Sequence, residues 1–359
     1  MMKYKPPPTT IKGRGAADNP GNRFDAYERE RDVPDPQADE DTPRPRTVIT
    51  LQQAKSIIAR NDSPDVPFSQ SINPYQGCEH GCIYCYARPT HAYLGLSPGL
   101  DFETKLFGKQ NAAELLRKEL ARPGYKCELI ALGANTDPYQ PVEREQRITR
   151  CILEVLAEHR HPVGIVTKSA LVERDIDILA DMARQNLAHV FVSVTSLDSE
   201  LSRKLEPRAA APHSRLEALK SLSEAGIPCG VLFAPVIPFV NDKDLEAVLE
   251  AAAEAGACMA GYVVLRLPLE VNTLFRDWLA RHYPLRAAHV MARVNDLRGG
   301  RDYDAEFGSR MSGKGEYASL IASRFTRACA KLGLSNGERF ILDTSKFRVP
   351  GRGEQLGLL

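Results

Sequence analysis

Six βα units wound into a partial (β/α)6 barrel, an α/β fold, are predicted from two features of the 359-residue sequence and from the composition of its two ends. Short β-rich runs recur through the middle of the chain, each followed by a segment of helical period, and that alternation makes a parallel sheet with helices outside it. Polar residues gather just after nearly every run, at the end of a TIM-like barrel where chemistry is concentrated. A Pro-rich, charged N terminus and a basic, aromatic-bearing C terminus flank this region without sharing its pattern.

Residues 1–48 hold eight prolines, nine basic and nine acidic residues. Few large apolar side chains accompany them, so the segment cannot bury enough surface to fold alone. It is predicted as a disordered arm or one draped over the body, with Lys12–Phe24 as a docking strip. The core domain is placed at 49–284. Its first strand is predicted over Phe68–Asn73, and five more over Glu128–Ala134, Pro162–Thr167, His189–Thr195, Pro228–Ala234 and Gly261–Leu267. Between the second and third, Ile148, Ile152, Val155 and Leu156 fall at i, i+4, i+7 and i+8, one face of a helix. A helix over Ser214–Glu224 repeats the device with Leu216, Leu219 and Leu222 and stops at Ala225-Gly226. Right-handed crossovers roll the sheet into an open barrel. The C-terminal extension, 285–359, is predicted as a mainly helical cap with a helix over Tyr317–Leu332.

The most informative local feature is Cys78-Glu-His-Gly-Cys82-Ile-Tyr-Cys85, a C-x3-C-x2-C loop. Three thiolates can hold three corners of a [4Fe-4S] cube and leave its fourth iron without a protein ligand. A structural zinc site usually needs a second ligand pair, and Cys127, Cys151, Cys229, Cys258 and Cys329 are all isolated. His80, inside the loop, offers a fourth ligand for such a zinc. Gly77 and Gly81 permit the turns of a tight wrap, and Tyr84 sets an aromatic directly before the last cysteine.

A C-x3-C-x2-C loop with that aromatic resembles the radical S-adenosylmethionine superfamily. The resemblance implies a barrel of the radical SAM type, Cys78, Cys82 and Cys85 as ligands of a [4Fe-4S] cluster, S-adenosylmethionine on the free iron, and Tyr84 near the adenine. The order of segments is similar to the spore photoproduct lyase branch and its uncharacterised photolyase-like members. Those proteins share a Thr-Lys after the third strand, a Ser after the fourth and a following Glu-Pro, here Thr167-Lys168, Ser193 and Glu206-Pro-Arg208. By that likeness Lys168 and Ser193 bind the cofactor. The lyase returns a hydrogen atom from a cysteine just after its second strand; Ala134 stands there, beside Asn135. Cys127, Tyr139 or a C-terminal residue is left to take that part.

S-adenosylmethionine carries a carboxylate, two ribose hydroxyls and a sulfonium, and each asks for a particular partner. Lys168 and Arg208 suit the carboxylate, while Asn135, Thr136 and Ser193 suit the polar contacts. The implied reaction is reductive cleavage to a 5'-deoxyadenosyl radical that abstracts hydrogen from a substrate, with a flavodoxin or ferredoxin as one-electron donor. Nucleic acid is one substrate class, as in a DNA repair lyase; a peptide or small metabolite is another. A metal-stabilised nucleic-acid-binding module without radical chemistry is the non-enzymatic alternative.

Composition bounds these readings. A formal net charge of +1 gives no bulk field for nucleic acid, so such binding must rest on a local patch. Residues 285–359 supply 13 Lys or Arg against 8 Asp or Glu, with Tyr303, Phe307 and Tyr317 among the aromatics. Mean hydropathy is −0.31, and no apolar run approaches the length of a membrane span. A cytoplasmic, reducing location is expected from eight cysteines without a secretion signal.

Overall fold

The computed structural model of the chain describes residues 10–25, 45–336 and 341–351. Six strands run parallel in sequence order: β1 Gln70–Ile72, β2 Ile130–Leu132, β3 Val163–Thr167, β4 Ala188–Ser193, β5 Cys229–Val236 and β6 Met259–Val264. The antiparallel strand Ile58–Arg60 borders β1, and the two-residue strand Ser335–Asn336 lies parallel to β6. The sheet therefore ends on two short strands and stays open, a partial barrel as its βα alternation predicted.

Every predicted run overlaps a strand; the fourth begins one residue early, the fifth ends two residues late, at Val236, and the sixth begins two residues early, at Met259, and ends at Val264. The register with β5 shifts between Tyr262 and Val264. Val264 then gives its N–H to Met311 O, 2.8 Å away, so the chain leaves the ladder before Leu267.

Helices cover the outer face: α1 Ala112–Leu120, α2 Ile148–Glu158, α3 Ile176–Ala183, α4 Ser199–Leu205, α5 Pro212–Glu224 and α6 Leu245–Glu254. In α2 the four residues singled out by period, Ile148, Ile152, Val155 and Leu156, are all buried against the sheet. Helix α5 starts at Pro212, which fits a first helical position because proline has no N–H to satisfy there. Asp198 caps α4, accepting from Glu200 N at 2.8 Å and Leu201 N at 3.3 Å. A smaller sheet pairs Val48–Gln52 with Lys105–Lys109, which also holds Tyr75–Gln76 just ahead of the cysteine loop.

Beyond β6 come α7 Val271–His282, α8 Ala287–Leu297 and α9 Gly315–Leu332. Helix α9 joins the outer layer: Ile321 and Phe325 enter the main core, and Arg324 Nε donates to Glu246 Oε1 of α6 at 2.8 Å. Its end feeds the strand beside β6, so this part of the C-terminal extension continues the barrel. The preceding loop behaves differently. Arg310 pairs with Asp65, Gly308 N donates to Asp65 Oδ1 at 2.6 Å, and Met311 is tied to β6. The loop thus reaches from the last strand to the segment ahead of β1, across the open side.

Of the arm expected over 1–48, residues 10–25 are draped over the body, with Ala16 and Asn22 buried; residues 1–9 and 26–44 lie outside the described residues.

Candidate functional site

The cysteine loop follows β1 at the C-terminal end of the strands. Cys78 and Cys82 are buried and Cys85 half-buried. Cys78 N donates to Phe102 O at 2.9 Å, and Cys85 N to Cys82 O at 3.2 Å. Gly81, at φ 68°, makes the turn between the first two cysteines, and a Cβ there would stand 2.7 Å from Glu103 Oε2. Arg88 locks the loop from beneath. Its guanidinium is fully buried, donates to Cys82 O at 2.9 Å and Gly81 O at 3.0 Å, and pairs with Glu103 at 2.6 Å.

The N-terminal strip closes the outer side of this assembly. Gly15 N and Ala16 N donate to the two oxygens of Glu103 at 3.0 and 2.8 Å. Arg14 Nη1 reaches Glu103 O at 3.0 Å. A Cβ on Gly15 would meet Gly81 O at 1.9 Å, so only glycine lets the strip lie this close to the loop.

Burial raises the Cys82 thiol above its ordinary pKa; Glu206 adds to this and Lys168 opposes it. Burial and Cys78 raise Cys85. The three thiols therefore feel one another and one ammonium, a donor set that fits an iron-sulfur cluster. His80, weighed as a zinc ligand, faces Asp137 Oδ2 at 3.3 Å instead.

Asp137, in the loop after β2, ties that loop to the end of β3 and to His80 of the cysteine loop. It accepts from Thr167 Oγ1 at 2.7 Å, Lys168 N at 2.7 Å and Tyr139 N at 2.9 Å. Burial alone would raise its pKa, but His80 and these donors outweigh burial and hold it at about 2. Glu206 is a second hub missed in the sequence. Tyr84 and Arg215 both bond its carboxylate, and Thr195 Oγ1 donates to it at 2.6 Å. Arg215, also buried, donates to Ser193 O at 2.9 Å. An acid-proline pair, at the end of α4 for Glu206, was the one available signal.

Of the residues proposed for the cofactor, Lys168 has the most favourable setting. Burial works against its charge, but Cys82 and Glu206 outweigh that and keep the ammonium protonated. No carboxylate lies within ion-pair distance of it among the described residues. Asn135 stands half-buried at the end of β2, held by its N–H to Asn73 Oδ1 at 2.9 Å. Ser193 is buried and bonds Ala234 O at 3.3 Å, and Tyr84 lies in the packed cluster beside Cys82.

Two others are already engaged. Thr136 donates its hydroxyl to Tyr75 O at 2.8 Å. Arg208 pairs with Glu79 inside the cysteine loop at 2.6 Å, so it braces the loop and is not free for a cofactor carboxylate. The two hydrogen-donor candidates are both misplaced for that task. Tyr139 is fully buried in the core and bonds Asp175 at 3.1 Å. Cys127 precedes β2, at the opposite end of that strand, where burial and Glu128 push it up to about 12. At Ala134 the carbonyl instead accepts from Tyr86, the residue after Cys85, which sequence reasoning passed over.

An open βα barrel with a three-cysteine loop after its first strand defines an enzyme of the radical class. Residues 72–252 match the Radical SAM superfamily, and the chain belongs to it. An uncharacterized protein of Mycobacterium tuberculosis is 40% identical over 256 residues, 69% of this chain and 74% of that one. An uncharacterized protein of Methanocaldococcus jannaschii is 28% identical over 213 residues, 59% of this chain and 76% of its own. In fold the chain is similar to a cysteine-to-serine mutant of spore photoproduct lyase, with a TM-score of 0.57, 15% identity, and coverage of 80% of this chain and 81% of that one. The lyase complexed with dinucleoside spore photoproduct gives a TM-score of 0.55 at 14% identity, with the same coverage.

Proposed function

We propose that this protein is a radical SAM enzyme in which Cys78, Cys82 and Cys85 hold a [4Fe-4S] cluster and Lys168 holds the carboxylate of S-adenosylmethionine. The observation that carries the reading is a three-thiol loop facing an ammonium that has no acid partner among the described residues. When bound, the cluster and S-adenosylmethionine would supply one chemistry, reductive cleavage of the sulfonium with an electron from a ferredoxin- or flavodoxin-like donor, for hydrogen abstraction from substrate.

The chain's own residues bind, orient and exclude water. Arg88 and Glu103 fix the loop backbone, and the strip at Gly15-Ala16 covers it. Asp137 holds the Lys168 backbone in place through its N–H, and Asn135 and Ser193 supply short polar contacts for the ribose. Such preorganisation matters because a loosely held radical reacts with the nearest C–H bond.

The test is anaerobic reconstitution with iron and sulfide, reduction, and measurement of 5'-deoxyadenosine. Wild-type protein should form it. Cys82→Ala should form none, and normal production by that variant overturns the ligand assignment.

A further inference from the structure

Three arginines bury an Nε that has no hydrogen-bond partner: Arg266, Arg293 and Arg298. Arg293 pairs with Asp296 at 3.1 Å. Arg298 is buried and spends its two amino groups on four main-chain carbonyls, those of Val264, Leu265, Ser309 and Arg310. Among the described residues Arg266 has neither an acid nor a carbonyl partner. Its guanidinium touches the Met311 sulfur at 3.6 Å and the Tyr303 hydroxyl at 3.3 Å, and lies 5.1 Å from the centre of the Tyr86 ring. A half-buried cation without a counter-charge is unfavourable unless an anion arrives to pair with it.

Its position says where that anion would lie. Arg266 follows β6 at the C-terminal mouth, and Tyr86, fixed by its bond to Ala134 O, stands between it and the cysteine loop. Lys168, by contrast, sits in the field of Cys82 itself. Two aromatic rings keep exposed surface: Tyr86, beside Arg266, is 44% exposed, and Phe307, on the loop that carries Tyr303 and Met311, is 55% exposed with Arg310 held 4.6 Å from its centre. The acids of the intervening loop are engaged elsewhere, since Asp304 and Glu306 both pair with Lys314.

We propose that Arg266 and the Tyr303 hydroxyl seat a phosphodiester of a single-stranded nucleic-acid substrate, with Tyr86 and Phe307 as stacking faces for the adjoining bases. Guanidinium beside exposed aromatic rings is the pairing by which single strands are held, backbone by charge and bases by stacking. An acidic peptide would satisfy Arg266 but leave both rings unused. This assignment rests on the radical SAM reading for what happens to the substrate, though the binding itself does not.

The test uses full-length reconstituted protein and fluorescence anisotropy of a short labelled oligothymidylate, its uncharged methylphosphonate analogue, and an oligoglutamate peptide. Wild type should bind the oligothymidylate best. Arg266→Gln should weaken that binding about tenfold and lower the slope of log affinity against log salt by about 0.7. Arg266→Lys should keep the slope and lose part of the affinity, and Tyr303→Phe, which removes one oxygen without threatening the fold, should weaken binding by about threefold. No wild-type binding, an unchanged slope in Arg266→Gln, equal affinity for the uncharged analogue, or preference for oligoglutamate would each overturn the proposal. Failure of the radical reading would show separately, as wild-type protein that makes no 5'-deoxyadenosine.

Discussion

Lys168 and Arg208 carry the same charge and both approach the cysteine loop, yet only Lys168 is unclaimed. Lys168→Ala should therefore raise the dissociation constant for S-adenosylmethionine at least about tenfold, the loss of a charge-assisted contact, with iron content unchanged. Arg208→Ala should leave that constant within about twofold, because its charge is already spent on Glu79, which keeps the Thr47 hydroxyl as a second partner. Equilibrium binding to reconstituted protein checks both, and equal losses would return Arg208 to the cofactor. The placement of the three cysteines and Lys168 at the strand ends was legible because spacing and strand position mark it. Tyr139 was not, because a period-free polar stretch does not show which side chain turns into the core. Asp137 and Glu206 escaped for a related reason: each acts through partners up to 57 and 122 residues away in sequence, which only the folded chain brings together.

Among the elements, five predicted strands sit where alternation put them, because buried parallel strands read as short apolar runs bounded by turns. The sixth shifted since its end is set by Met311, a contact no local pattern encodes. The N-terminal strip is the other element that composition describes poorly. Its Gly-Arg-Gly-Ala core sits in a Pro-rich, charged segment, but two N–H groups meet a buried carboxylate, contacts worth about 1.5–3 kcal/mol each. Gly15→Val should force the strip off the loop. Reconstituted variant protein is expected to hold less iron and to bleach faster in air than wild type, with α-helical content unchanged. Bleaching at the wild-type rate would show that the strip does not protect the loop.

For the molecule as a whole, the open sheet and the loop that crosses its free side set the limits of the site. Two buried histidines set its response to acid. His161 and His189 are buried, and desolvation lowers both to about 4. The unfolded chain takes up these protons from about pH 6.5 downward and the folded chain does not, so stability is lost as pH falls from 6.5 to 4. Each contributes up to about 1.4 kcal/mol per pH unit in that window. Urea midpoints should drop accordingly, and His189→Phe should drop less steeply than wild type; parallel curves would remove His189 from the account. The strip's contact with Glu103 carries a practical consequence for recombinant work. Trimming the low-hydropathy leader at Val48, as its composition invites, would uncap the Glu103–Arg88 pair beneath the cysteines, so a shortened version should keep everything from Lys12 onward.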